Sequence, residues 1–171
     1  ALALGVGRAA GRGGSTVIRS LTADESALAL EVFGEALDPA RVRILPAPWP
    51  LTRAFVPGGW FGRDWIVWPR RTLPPDLSVG PLYRQATFVH ELAHVWQVQA
   101  GVNLLTGKLR AGDRPSTYVY PLDEACDWDR LNIEQQAMII EHRFRLSRGE
   151  SVPASRAFYD RVCPLARRME I

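Results

Sequence analysis

The stretch FVHELAHVWQ, Phe88 to Gln97, holds two of the chain's three histidines. His90 and His94 stand one helical turn apart, and Glu91 directly follows the first. On a helical wheel of about 100° per residue, Leu82, Ala86, Val89, Ala93, Trp96 and Ala100 gather on one face. Phe88, Leu92 and Val95 gather on another. A helix apolar over most of its circumference is a buried helix. Between the faces runs a polar strip, formed by Gln97, His90, Tyr83, His94 and Thr87, with no lysine or arginine in it. Such a strip suits the wall of a cleft better than a face in water.

Two imidazoles at i and i+4 can reach one point, and neutral imidazole nitrogens are zinc ligands. Glu91 lies beside the strip, where its carboxylate can serve as general base without displacing a water. HExxH thus packs two ligands and a base into five residues. The competing reading is a pair of core histidines, each satisfied by a hydrogen bond, with a glutamate in solvent. The long buried helix and the neutral strip favour the metal.

Catalytic zinc sites keep three protein ligands and one open position. A third histidine in the HExxHxxGxxH spacing is excluded, because positions 97 and 100 are Gln and Ala. The downstream candidates are His142, Asp113, Asp123, Glu124, Asp127, Asp129, Glu134 and Glu141. The segment from Asn132 to Arg148 has helical periodicity, with Ile133, Ala137, Ile140 and Phe144 on its apolar face. Glu134 flanks that face in the first turn, where it can lean toward a neighbouring helix. Glu141 can pair with Arg145 at i+4, an ordinary structural use of a charge. Geometry leans to Glu134 and leaves Glu141 and His142 open.

The rest of the chain sets this helix in an α+β domain. Residues 1–20 are glycine-rich and read as a flexible lead, with one domain over 21–171. Thr22 and Glu25 form a capping-box pattern that opens a helix over 23–37. ARVRIL (40–45) and DWIVW (64–68) read as strands, with a turn at Pro57-Gly58-Gly59 between them. The proline-rich PAPWPL reads as loop. The central helix runs from Pro81 to Gly101, Thr117 to Tyr120 reads as a short extended piece, and a last helix covers about 154–162. The expectation is a mostly helical fold with a small sheet packed on the buried histidine helix.

Hydrophobic content of 47% in 171 residues supports a real core. A net charge of +3 without basic blocks gives no case for nucleic acid. No apolar run is long enough to span a bilayer. ALALGVGRAAGRGG lacks the layout of a signal peptide, so a cytoplasmic protein or export by a dedicated apparatus both fit. Cys126 and Cys163 read as buried apolar residues, not as a disulfide framework or ligands.

HELAHVWQ, followed 40 residues after His94 by the glutamate of NIEQQA, resembles the zincin-like metallopeptidases with a downstream glutamate ligand, the gluzincin pattern. LTADESALALEVFGEALDPARVRIL, HELAHVWQ and NIEQQA together resemble bacterial Vgr-related proteins, zincin-like domains associated with type VI or other contractile secretion systems. The similarity covers about 20–147. It implies a zincin-like fold and Glu134 as third ligand beside His90 and His94. The spacing to Glu134 exceeds that of thermolysin-like enzymes.

The expected function is a zinc (Zn2+) metallopeptidase acting on a peptide or protein, with Glu91 as general base. Tyr118, Tyr120 and, less directly, His142 are the expected donors to the oxyanion. Asp123 or Glu124 could orient a ligand histidine. The alternatives are a non-enzymatic zincin-like adaptor or accessory module of a bacterial secretion system, and a metal-free helical binding domain. Trp60, Phe61, Trp65 and Trp68 could line a groove or serve as core anchors.

Overall fold

The computed structural model describes residues 17–112 and 114–165. Most of the expected lead and Asp113, one of the candidate ligands, lie outside these residues. The described chain is α+β, with a small mixed sheet and helices packed on it.

Helix α1 (Ala23–Phe33) opens with the expected capping box. Thr22 Oγ1 accepts from the Glu25 N–H, and the Glu25 carboxylate accepts from the Thr22 N–H. The Glu25 side chain is fully buried, so the same carboxylate must find further donors. It takes the Arg19 guanidinium and the Leu77 N–H. One cap thereby pins both the chain that enters the domain and the loop before the central helix. The helix stops earlier than its periodicity suggests, because Gly34 adopts φ 55° and a 3-10 turn follows over Gly34–Ala36.

Four strands follow one another in the spatial order β1-β2-β4-β3. They are β1 (Arg19–Ser20), β2 (Val42–Ala47), β3 (Phe55–Trp60) and β4 (Arg63–Pro69). β2 and β4 are parallel, and the two outer pairs are antiparallel. Arg19 and Ser20, expected to end the lead, pair with Ile44 and Arg43 instead. β2 takes in Pro46, which the proline-rich reading placed in a loop. Pro46 lies beyond the two residues paired with β1, and a strand tolerates proline where its missing N–H takes no part in the ladder.

Pro57-Gly58-Gly59 is not a turn. It lies inside β3, where the register shifts between Phe55 and Gly58. The reversal falls at Phe61 and Gly62, both at positive φ (54° and 67°), between the paired Trp60 and Arg63. This matches the mirror-image turns that suit a twisted hairpin. Gly59 is needed for a different reason: a Cβ there would stand 2.8 Å from Asp64 Oδ1 and 3.3 Å from Val98 Cγ1. We expect Gly59→Ala to cost about 1–3 kcal/mol through overpacking. Urea unfolding measures this, and an unchanged midpoint would refute the close approach of β3 and the central helix.

The central helix α2 (Leu82–Gln99) is packed between β3 and β4 on one side and α4 (Ile133–Ser147) on the other. Phe88, Val89, Leu92, Ala93 and Val95 are all fully buried, as the two apolar wheel faces require. A helix unrecognised in the sequence, α3 (Leu104–Ala111), joins the two, capped by the Asn103 side chain. Gly107 lets it approach the start of α4, since a Cβ there would meet Ile133 Cδ1 at 2.9 Å. The expected extended piece at Thr117–Tyr120 is instead a 3-10 turn over Pro115–Tyr118. Helix α5 (Arg156–Val162) closes the described chain. Cys126 and Cys163 are buried and are not joined in a disulfide.

Candidate metal centre and its cleft

His90, Glu91 and His94 project from the middle of α2 and Glu134 from the first turn of α4. Glu134 Oε2 lies 3.3 Å from His90 Nε2 and 3.1 Å from His94 Nε2. These three ligand-type atoms fall within 4.8 Å of one another, and no other such group occurs among the described residues. The three side chains are almost wholly shielded from solvent.

The outer nitrogens of both rings are held. His94 Nδ1 is 2.9 Å from Gln97 Oε1. The Gln97 amide nitrogen donates to the Ile133 carbonyl and to Gln136 Oε1, so its oxygen is the atom facing the ring. An amide oxygen only accepts, so His94 Nδ1 carries the proton. His90 Nδ1 is 3.2 Å from Glu141 Oε2, and an ionised carboxylate also only accepts. In the neutral imidazoles, then, both Nε2 atoms offer bare lone pairs to the Glu134 carboxylate. Acceptors at 3.1–3.3 Å repel unless a proton or a cation sits between them.

The electrostatics point the same way. Burial lowers the His90 pKa, but hydrogen bonds to Glu134 and Glu141 outweigh it and push it up to about 10. Burial raises the Glu134 pKa, but the bonds from His90 and His94 outweigh it and hold the carboxyl well below the usual range. The cluster draws positive charge into a buried place. Two neutral imidazoles and a carboxylate, with outer nitrogens fixed by hydrogen bonds, are a donor set that fits zinc.

Glu91 is buried beside the cluster, 6% exposed, and its Oε2 has no hydrogen-bond partner among the described residues. A buried polar atom without a partner calls for an explanation. Glu91 lines a cleft of about 830 Å³ whose wall also includes His90, His94 and Glu134.

The other expected residues divide. Tyr118 lines the cleft, with its ring centroid 6.4 Å from that of His90. Tyr120 and His142 do not line it. The Tyr120 hydroxyl bonds His142 Nδ1 and lies 3.0 Å from the Tyr159 hydroxyl. Burial pulls the His142 pKa down, and burial with the adjacent Tyr159 pushes Tyr120 up, so both are neutral packing partners. Asp123 and Glu124 are exposed and touch neither histidine; Asp123 caps its own turn through the Ala125 N–H. Glu141 makes the expected pair with Arg145, at 3.4 Å, and in addition holds His90. Trp68 lines the cleft, whereas Trp60 and Phe61 stand exposed at the hairpin. Gln97 and Gln136, which fix His94, had only one signal in the sequence: Gln97 lies on the polar strip.

No family model matches the chain. It is 33% identical over 168 residues to the type VI secretion system spike protein VgrG2b of Pseudomonas aeruginosa. That match takes in 90% of this chain but 15% of the spike protein, so the chain spans a small part of that relative's length. Among solved structures, the effector domain of Pseudomonas aeruginosa VgrG2b matches with a TM-score of 0.65 and 30% identity, over 84% of this chain and 80% of that one. With most of both chains aligned at this identity, the protein belongs to the family of the VgrG2b effector domain.

Proposed function

We propose that the chain is an effector module associated with type VI secretion, and that its cleft is the active site of a zinc metallopeptidase. The secretion role rests on kinship with a spike protein and its effector domain, and export by the secretion apparatus goes with it. Among the described residues no helix is long and apolar enough to cross a membrane. The enzymatic reading rests on one observation: three converging ligand-type side chains share a large cleft with Glu91, a buried glutamate that keeps one carboxylate oxygen without a partner among the described residues.

His90, His94 and Glu134 would hold the ion. When bound, zinc supplies a Lewis acid that polarises a peptide carbonyl and acidifies water. Glu141 and Gln97 keep the two imidazoles in the tautomer that presents Nε2. Glu91 accepts a proton at its free Oε2 and later returns it to the departing amine. Tyr118, which lines the cleft near His90, would donate to the oxyanion. Tyr118→Phe is therefore expected to lower kcat about 10²–10³-fold with little change in KM. Steady-state cleavage of a susceptible peptide measures this, and an unchanged kcat removes Tyr118 from the reaction.

A second reading, an accessory module without catalysis, has the name of the relative in its favour: a spike protein is part of an apparatus. Zinc analysis of the purified protein, followed by peptide-library digestion, separates the two. Bound zinc with new peptide termini supports the peptidase. Bound zinc with no cleavage supports the accessory module. No bound zinc sinks the metal site itself.

A further inference from the structure

The charges around the cleft are segregated. Among the described residues its only acidic ones are Glu91, Glu134 and Glu141, all at the metal cluster. Its four cations, Arg53, Arg71, Arg84 and Lys108, come from four separate places. Arg53 precedes β3, Arg71 lies in the 3-10 turn after β4, Arg84 is in the first turn of α2, and Lys108 is on α3. None of the four has an ion pair or side-chain hydrogen bond to a protein group among the described residues. Outside the cleft, Arg19, Arg41, Arg130, Arg143, Arg145 and Arg148 are each paired with a carboxylate, while Arg70, Arg110 and Arg156 have no such partner among the described residues.

What sets the cleft apart is clustering: four cations share one concave lining in a chain whose net charge is only +3. Concave walls of one sign focus the field and raise the local concentration of oppositely charged ligands. A cleft lined by four cations, whose carboxylates among the described residues all belong to the metal cluster, is complementary to a chain carrying negative side chains.

Resting on the peptidase reading, we propose that the substrate is an acidic peptide segment, with Asp or Glu residues flanking the bond presented to the metal cluster. The four cations contact those flanking carboxylates, while Leu51, Phe55 and Trp68 offer apolar wall between them. The preference is made by distant side chains and not by the reacting groups, so it acts on binding.

The test uses the full chain carrying Glu91→Gln, loaded with zinc, and labelled decapeptides that share a central sequence flanked by Asp/Glu, Ser/Gln or Lys. Anisotropy titrations should show the acidic peptide binding about tenfold or more tighter than the neutral one at low salt, with the gap closing as salt rises. Arg53→Glu with Arg84→Glu should erase that preference and improve binding of the lysine peptide, whereas Arg156→Glu, outside the cleft, should leave it unchanged. Equal binding of all three peptides overturns the proposal. So does tighter binding of an oligonucleotide or of phosphatidylglycerol vesicles through the same arginines. Cleavage by the unaltered protein is scored separately. Cleavage of all peptides without charge preference removes the acidic substrate and keeps the peptidase. Acidic preference in binding with no cleavage of any peptide removes the peptidase and keeps the cleft's selectivity.

Discussion

Glu134→Gln is expected to leave the purified protein without zinc, while Glu141→Gln keeps a weakened site. The two glutamates are two turns apart on α4, and both touch His90, so their roles must be told apart by geometry. Among the described residues Glu134 Oε2 is the only carboxylate oxygen within hydrogen-bonding distance of both Nε2 atoms. Removing its charge takes away one of three ligands and the sole anionic one, leaving two imidazoles, fewer than a catalytic zinc site keeps. Glu141 instead meets the far nitrogen of one ring. Loss of such a supporting partner costs about 10–100-fold in metal affinity, so the Glu141 variant should still bind zinc. Zinc content after dialysis, and competition with a chromogenic chelator, give both numbers. Far-UV circular dichroism confirms that each variant is folded. A Glu134→Gln protein that holds zinc as tightly as the parent, beside a Glu141→Gln protein that loses it, would transfer the ligand role to Glu141.

The parts of this site that the sequence revealed are those governed by one helix's period. His90 and His94 share a strip because they are one turn apart, and the burial of α2 follows from its two apolar faces. Glu134 and Glu141 share a stripe on α4 because seven residues make two turns, and His142, one residue further, is rotated by about 100° and packs against Tyr120 instead. Tyr118 and Tyr120 show the opposite case. Read as an extended piece they would point the same way. The chain forms a 3-10 turn that ends at Tyr118, so one ring reaches the cleft and the other enters the core. Gln97 and Glu141 as holders of the imidazoles depend on how α2 packs on α4, which no single segment encodes. The rim cations were harder still, since four separate elements contribute one each. Pro57-Gly58-Gly59 is not a turn because Gly58 supplies a positive φ at the register shift and Gly59 lets β3 approach Asp64 of β4 and Val98 of α2, demands that look identical in sequence to a demand for reversal.

Glu91→Gln is expected to keep zinc and lose peptide hydrolysis by about 10²–10⁴-fold, the range a positioned general base contributes. The substitution is nearly isosteric, and Glu91 touches none of the three ligand atoms in the hydrogen-bond network of the site. His90 and His94 remain held by Glu141 and Gln97, so the metal-binding geometry has no cause to change. What changes is the free Oε2, the one buried side-chain oxygen at the cleft without a partner. In glutamine that position is an amide, which cannot take up a proton at neutral pH. A glutamate retained only for packing would behave differently: burying a carboxylate oxygen without a partner is unfavourable, so the amide should then raise stability and leave turnover, where there is any, unchanged. Parallel measurements of zinc content, urea midpoint and single-turnover cleavage distinguish the two roles. Full zinc with cleavage lost assigns Glu91 to proton transfer. Full zinc with cleavage intact would mean that some other group takes the proton, and the mechanism built on Glu91 would fall.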